Sequence, residues 1–113
     1  MIDYNPTLYT QLSTLGLPVE YELFLTKDHS LPCISYQEGL NIADKEGSEF
    51  GYSYVQYRIK VWAKEKSTLA EYALKIDSLM RGLGFTRIGT SELWAGVVGQ
   101  TQLTFRGLGR ETF

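Results

Sequence analysis

Three observations predict an α+β fold in the order α-β-β-β-α-β-β, with two helices packed on a mostly antiparallel sheet. The first is Tyr52–Ala63, the longest stretch rich in aromatic and β-branched residues, in which apolar and polar positions alternate. The second is the amphipathic segment that follows it directly, KEKSTLAEYALKIDSLMRGLGF. The third is the spacing of glycine and proline breaks, which cut the remainder into short extended segments and one short helix.

The first element is a helix over Pro6–Leu15. Asn5 is a good N-cap, Pro6 suits the first helical position, and Gly16 closes the segment as a C′ residue. Leu8, Leu12 and Leu15 form its stripe; a helix this short must pack against the sheet to persist. After Leu17-Pro18, Val19–Thr26 reads as a strand, with Val19, Tyr21, Leu23 and Leu25 on one face and Glu20, Glu22 and Phe24 on the other. Lys27-Asp28-His29-Ser30 is a polar turn, and Pro32–Glu38 a second strand. A connection this short implies an antiparallel pair.

Gly39–Gly51 has the least regular wording: three glycines, mixed charge and scattered Leu40, Ile42 and Phe50. It reads as a long loop, mobile in the isolated protein and suited to contacting a partner. In the central strand Val55, Tyr57, Ile59, Val61 and Ala63 point one way. Gln56, Arg58 and Lys60 point the other, together with Tyr52, Tyr54 and Trp62. In the second helix Leu69, Tyr72, Ala73, Ile76, Leu79, Met80 and Leu83 recur at helical spacing. Ser67 or Thr68 caps it, Thr68 with Glu71 matching a capping box; Glu71 and Lys75 form an i, i+4 pair, Arg81 lies near the C-terminus, and Gly82 or Gly84 ends it. Thr86–Trp94 and Gly99–Arg106 are the last two strands, separated by Ala95-Gly96-Val97-Val98. The tail Gly107–Phe113 lacks periodicity and reads as extended.

The 113 residues form one domain, 1–113, with no internal repeat. Eleven Lys and Arg against 13 Asp and Glu give a net charge of −2, with no basic block for phosphate neutralisation, so no specific nucleic-acid contact is expected. No apolar run is long enough to span a membrane, and MIDYNPTLY does not read as a signal peptide. Cys33, the single cysteine, leaves no internal disulfide and no cysteine metal pair.

Catalytic candidates are sparse. His29 beside Asp28 reads as a solvated turn residue and Cys33 as a small buried hydrophobe. Glu20 and Glu22 share a strand face that reads as surface. The glycines form no phosphate-binding pattern, and no ligand set fits zinc, calcium or iron. The expectation is a protein that is not an enzyme and holds no cofactor. The aromatic load points elsewhere: eight Tyr, five Phe and two Trp are hard to bury at once in a domain of this size. Aromatic residues beside arginine on exposed surface are typical interface anchors. The candidate interface comprises Leu40, Ile42, Phe50, Tyr52, Tyr54, Trp94 and Phe113. The alternative for Tyr52 and Tyr54 is that the first helix covers their face and buries them; for Trp62 the core is favoured.

The wording LPCISYQEGLN, GYSYVQYRIKVWA, LAEYALKIDSLMRGLGFTRI and SELW followed by QTQLTFRGL resembles the small tail-terminator (tail-completion) proteins of long-tailed bacteriophages, from Leu31 to about Leu108. The resemblance implies an α+β subunit of a homohexameric ring in the virion, assembled in the host cytoplasm. Such a ring caps the tail tube protein's finished polymer, ends its growth and joins the neck (stopper) protein at the head. It implies no catalytic residue, and a loop at Gly39–Gly51 that touches neighbouring rings. The neighbouring reading is a neck or stopper protein of the head–tail connector. A different class, a small ligand-binding α+β domain, would require a deep pocket holding His29 or Cys33 with a carboxylate.

Overall fold

The computed structural model describes residues 5–21, 31–43 and 52–110. Helix α1 (Asn5–Ser13) leads into strand β1 (Val19–Tyr21). Strands β2 (Cys33–Ala43) and β3 (Tyr52–Ala63) follow, then helix α2 (Lys66–Gly82) and strands β4 (Thr86–Ala95) and β5 (Val98–Arg110). The order is the expected α-β-β-β-α-β-β. The strands form one sheet in the spatial order β1-β2-β3-β5-β4, and the molecule measures 49 × 22 × 22 Å along its principal axes.

The alternation read in β3 sets the centre of the sheet. Val55, Tyr57, Ile59, Val61 and Ala63 are buried, while Gln56, Arg58, Lys60 and Trp62 are half-buried on the opposite face. β2 and β5 pair antiparallel on either side, placing Ile34 beside Val61 and Leu103 beside Ile59. Both helices cover the same face. Leu69, Ile76 and Met80 of α2 and Leu8 and Leu12 of α1 are fully buried there against Tyr57, Ile59, Leu103 and Phe105. Each such side chain contributes about 1.5–3 kcal/mol, which is what makes the nine-residue α1 persist.

The ends of α2 differ in how they are closed. The helix starts at Lys66, behind Glu65 in extended backbone, and no side chain caps it. Thr68 therefore sits inside the first turn, and the expected capping box is not formed. At the other end Gly84 has φ 94. The Gly84 N–H donates to the Arg81 carbonyl and the Phe85 N–H to the Met80 carbonyl, both at 3.0 Å. This is a Schellman closure, in which the left-handed residue is one without a Cβ. Lys75 and Glu71 pair at 3.3 Å, as expected, and Arg81 Nε donates to Asp77 at 2.9 Å.

Four expectations are corrected. β1 pairs with β2 in parallel, Val19 beside Ile34 and Tyr21 beside Tyr36, and not antiparallel as the short connection implied; residues 22–26 of the expected strand lie outside the described residues. The turn Lys27–Ser30, with His29, lies outside the described residues. Residues 39–43 belong to β2 rather than to a loop. The register slips at Gly39, between Glu38 opposite Tyr57 and Leu40 opposite Gln56, so a β-bulge carries the strand past the glycine instead of ending it. The rest of that loop, 44–51, and its expected mobility lie outside the described residues. In the tail, 107–110 extend β5, Gly107 pairing with Val55 and Arg110 with Tyr52; 111–113 lie outside. Finally, α1 does not cover the polar face of β3, since its leucines join the α2 side.

Candidate interaction surface

With both helices on one side, the other face of the sheet is left without a helix among the described residues. Across β3 and β5 it carries Arg58, Lys60, Gln100, Gln102, Thr104 and Arg106, half-buried or exposed. Trp62 lies on this open face, half-buried, and not in the core, because it is in phase with Lys60 rather than with Val61. Its indole N–H donates to Ser35 Oγ at 3.0 Å, and Lys60 Nζ stands 5.9 Å from its ring centroid. The indole thus satisfies a buried serine on the neighbouring strand and still exposes part of its ring.

At this end of the sheet β4 and β5 meet in a hairpin whose two-residue turn is Gly96-Val97, with Ala95 opposite Val98. Gly96 has φ 64, the positive value that a tight hairpin asks of its first turn residue. Trp62, Leu93, Trp94, Ala95, Val98 and Gln100 line an open depression of about 480 Å³. Around it Leu93 is 61%, Trp94 44% and Val97 73% exposed. Trp94 Nε1 donates to Glu92 Oε2 at 3.1 Å, holding the indole along β4.

The sequence-derived candidates divide between two places. Trp94 belongs to this hairpin end. Leu40, Ile42, Tyr52 and Tyr54 fall at the far end of β2 and β3, where the register aligns Ile42, Tyr54 and Leu108 in one row and Leu40, Gln56 and Arg106 in the next. Eight residues of strand separate Tyr54 from Trp62, roughly 26 Å at about 3.3 Å per residue. Phe50 and Phe113 lie outside the described residues. Leu93 and Val97 were missed by the sequence reading. The signal was there: in an edge strand exposed on both faces, an apolar pair next to a glycine turn leaves both side chains in water.

Chemistry does not gather elsewhere in the described residues. Burial, and then the Glu20 carboxylate, push the Cys33 thiol up to about 11, the opposite of an activated nucleophile. Cys33 does not line the depression, and His29 lies outside the described residues. Among the described residues no three His, Cys, Asp or Glu side chains could share a metal ion, and no helix is long and apolar enough to cross a membrane. No protein-family model matches the chain, and no curated protein matches it.

Proposed function

We propose that the protein is a structural subunit of a phage tail: a terminator that closes with copies of itself into a homohexameric ring on the end of the tail tube, stops its growth and presents a face to the neck protein. The observation that carries this reading is the separation of two unlike candidate patches along β3. One is the apolar hairpin end with Leu93, Trp94 and Val97; the other is the Ile42–Tyr54–Leu108 row at the far end. A closed ring is built from heterologous contacts, in which one patch of a subunit meets a different patch of the next. An exposed hairpin end and, at the other end of the sheet, a register row of different residues suit that geometry. The element order agrees with the resemblance, and the mechanism it implies is steric, with no turnover.

The test is light scattering and negative-stain imaging of the protein alone and with purified tail tubes. Rings of six, or subunits that collect at one tube end and halt elongation, are the expected result. Tubes that grow to the same lengths with and without the protein, with none of it at their ends, would overturn the reading. Leu93→Asp with Val97→Asp should abolish ring formation while circular dichroism stays unchanged.

A further inference from the structure

Strand β4 forms one edge of the sheet and, among the described residues, pairs only with β5. It is ten residues long, and every one of them except Gly89 is exposed. Such an edge offers a row of free backbone donors and acceptors to another strand. At the opposite edge, β1 comprises three residues among those described. What could add to β4 is constrained by its own charges and by its bulge.

The register with β5 slips between Arg87, opposite Phe105, and Gly89, opposite Thr104, which leaves Ile88 as the extra residue. Arg87, Thr90 and Glu92 are therefore in phase with the buried face, and Gly89, Ser91 and Leu93 with the open one. Suppose two copies of β4 run antiparallel about a two-fold axis at Thr90. Gly89 of one copy then faces Ser91 of the other. Because both strands carry the extra Ile88, the next pairs are Arg87 with Glu92 and Thr86 with Leu93. Every pair lies on a common face, and opposite charges meet twice, once on each side of the axis. A register centred on Glu92 would set two carboxylates against each other; one centred on Ser91 would spend Arg87 on Trp94.

Both charges have capacity for a partner. Arg87 is exposed, with its Nε 3.7 Å from Asp77 Oδ1, and Asp77 is held more closely by Arg81. Among the described residues no cation pairs with Glu92, which accepts only the indole N–H of Trp94. We infer that β4 is a self-complementary edge: a second copy of this chain adds across it, antiparallel about Thr90, to give a dimer with a continuous ten-stranded sheet locked by two Arg87–Glu92 pairs. This does not rest on the terminator reading, and a mass of two copies is distinguishable from a mass of six.

The test is sedimentation equilibrium of the full chain over a range of concentrations. The wild type should show a reversible dimer. Glu92→Arg should weaken it about tenfold or more, Arg87→Glu likewise, and the double variant Arg87→Glu with Glu92→Arg should restore it. Thr90→Cys should form a disulfide-linked dimer on mild oxidation, since directly opposed residues in an antiparallel pair are close enough to bridge. A protein that stays monomeric at every concentration would overturn the proposal. So would any oligomer indifferent to the charge reversals, whether formed at another register or with another surface.

Discussion

The two antiparallel pairs made by β5 are close in geometry and opposite in consequence. On one side β5 pairs with β3 over twelve residues, both flanked by strands and covered by α2, and their facing residues Tyr57, Ile59, Leu103 and Phe105 are fully buried. On the other side β4 makes a nearly complete ladder to the same strand yet stays exposed along its length. Backbone pairing is thus the same on both sides; what differs is how far a helix covers it, since α2 reaches β4 only near its start, where Asp77 stands 3.7 Å from Arg87. Burial under α2 turns β3–β5 into the core, and the lack of such burial leaves β4 as surface available to a partner.

That contrast can be broken or sharpened by substitution. The largest effect is expected for Phe105→Ala, which removes a fully buried ring and should cost about 3–5 kcal/mol in denaturant unfolding; Leu93→Ala on β4 should change stability by no more than about 0.5 kcal/mol. Equal losses would mean that β4 is covered in the isolated protein. Next come two glycines of β5 with almost the same close approach. A Cβ on Gly107 would lie 2.7 Å from the Phe85 ring, and one on Gly99 would lie 2.8 Å from the Trp94 ring. Phe85 is 4% exposed and cannot retreat, whereas Trp94 is 44% exposed and can swing into solvent. Gly107→Ala should therefore cost about 1–3 kcal/mol and Gly99→Ala little, read as the shift in denaturation midpoint.

A smaller effect separates the core from the open face. Trp62→Phe keeps an aromatic ring but removes the donor to the buried Ser35 hydroxyl, and should cost about 1 kcal/mol. Trp62→Phe combined with Ser35→Ala should recover part of that loss, because the orphaned hydroxyl is gone. The smallest effect lies at alkaline pH. The Cys33 thiol is raised from 9.0 to about 11 in the folded protein, so between those values the folded state holds the proton more tightly than the unfolded one. Its contribution is complete below pH 9 and is lost as pH rises toward 11. Unfolding followed from pH 8 to 11 should show a steeper decline for the wild type than for Cys33→Ala; identical slopes would mean that the thiol is solvated.

Much of this architecture was legible as short-range periodicity. The stripe from Leu69 to Leu83, the alternation from Val55 to Ala63 and the buried Leu8 and Leu12 all follow from the repeat of a single element. The end of α2 was legible for the same reason, since Gly84 acts on carbonyls within its own last turn. Register and direction were not. The bulge at Gly39 moves Leu40 and Ile42 into phase with Gln56 and Tyr54, though their spacing from Ile34 and Tyr36 reads as unbroken alternation. Only pairing with β3 makes residues 40–43 a strand, and only pairing with Tyr52–Val55 makes 107–110 one.

The candidate surface divides along the same line. Tyr54 and Trp94 could be picked out as aromatics in polar company, but their separation to opposite ends of the sheet depends on which strands are neighbours. The exposure of Leu93 depends on β4 being the sheet's edge and on Leu93 facing the side opposite the helices, and that of Val97 on its place in the hairpin turn. Local patterns settle each element and its inward face because hydrogen bonds and side-chain periodicity are fixed within a few residues. Strand direction, bulge phase and the choice of edge are set by contacts between residues far apart in the chain. That is why this chain declares its helices and its core, and leaves the identity of its free surface to the assembled sheet.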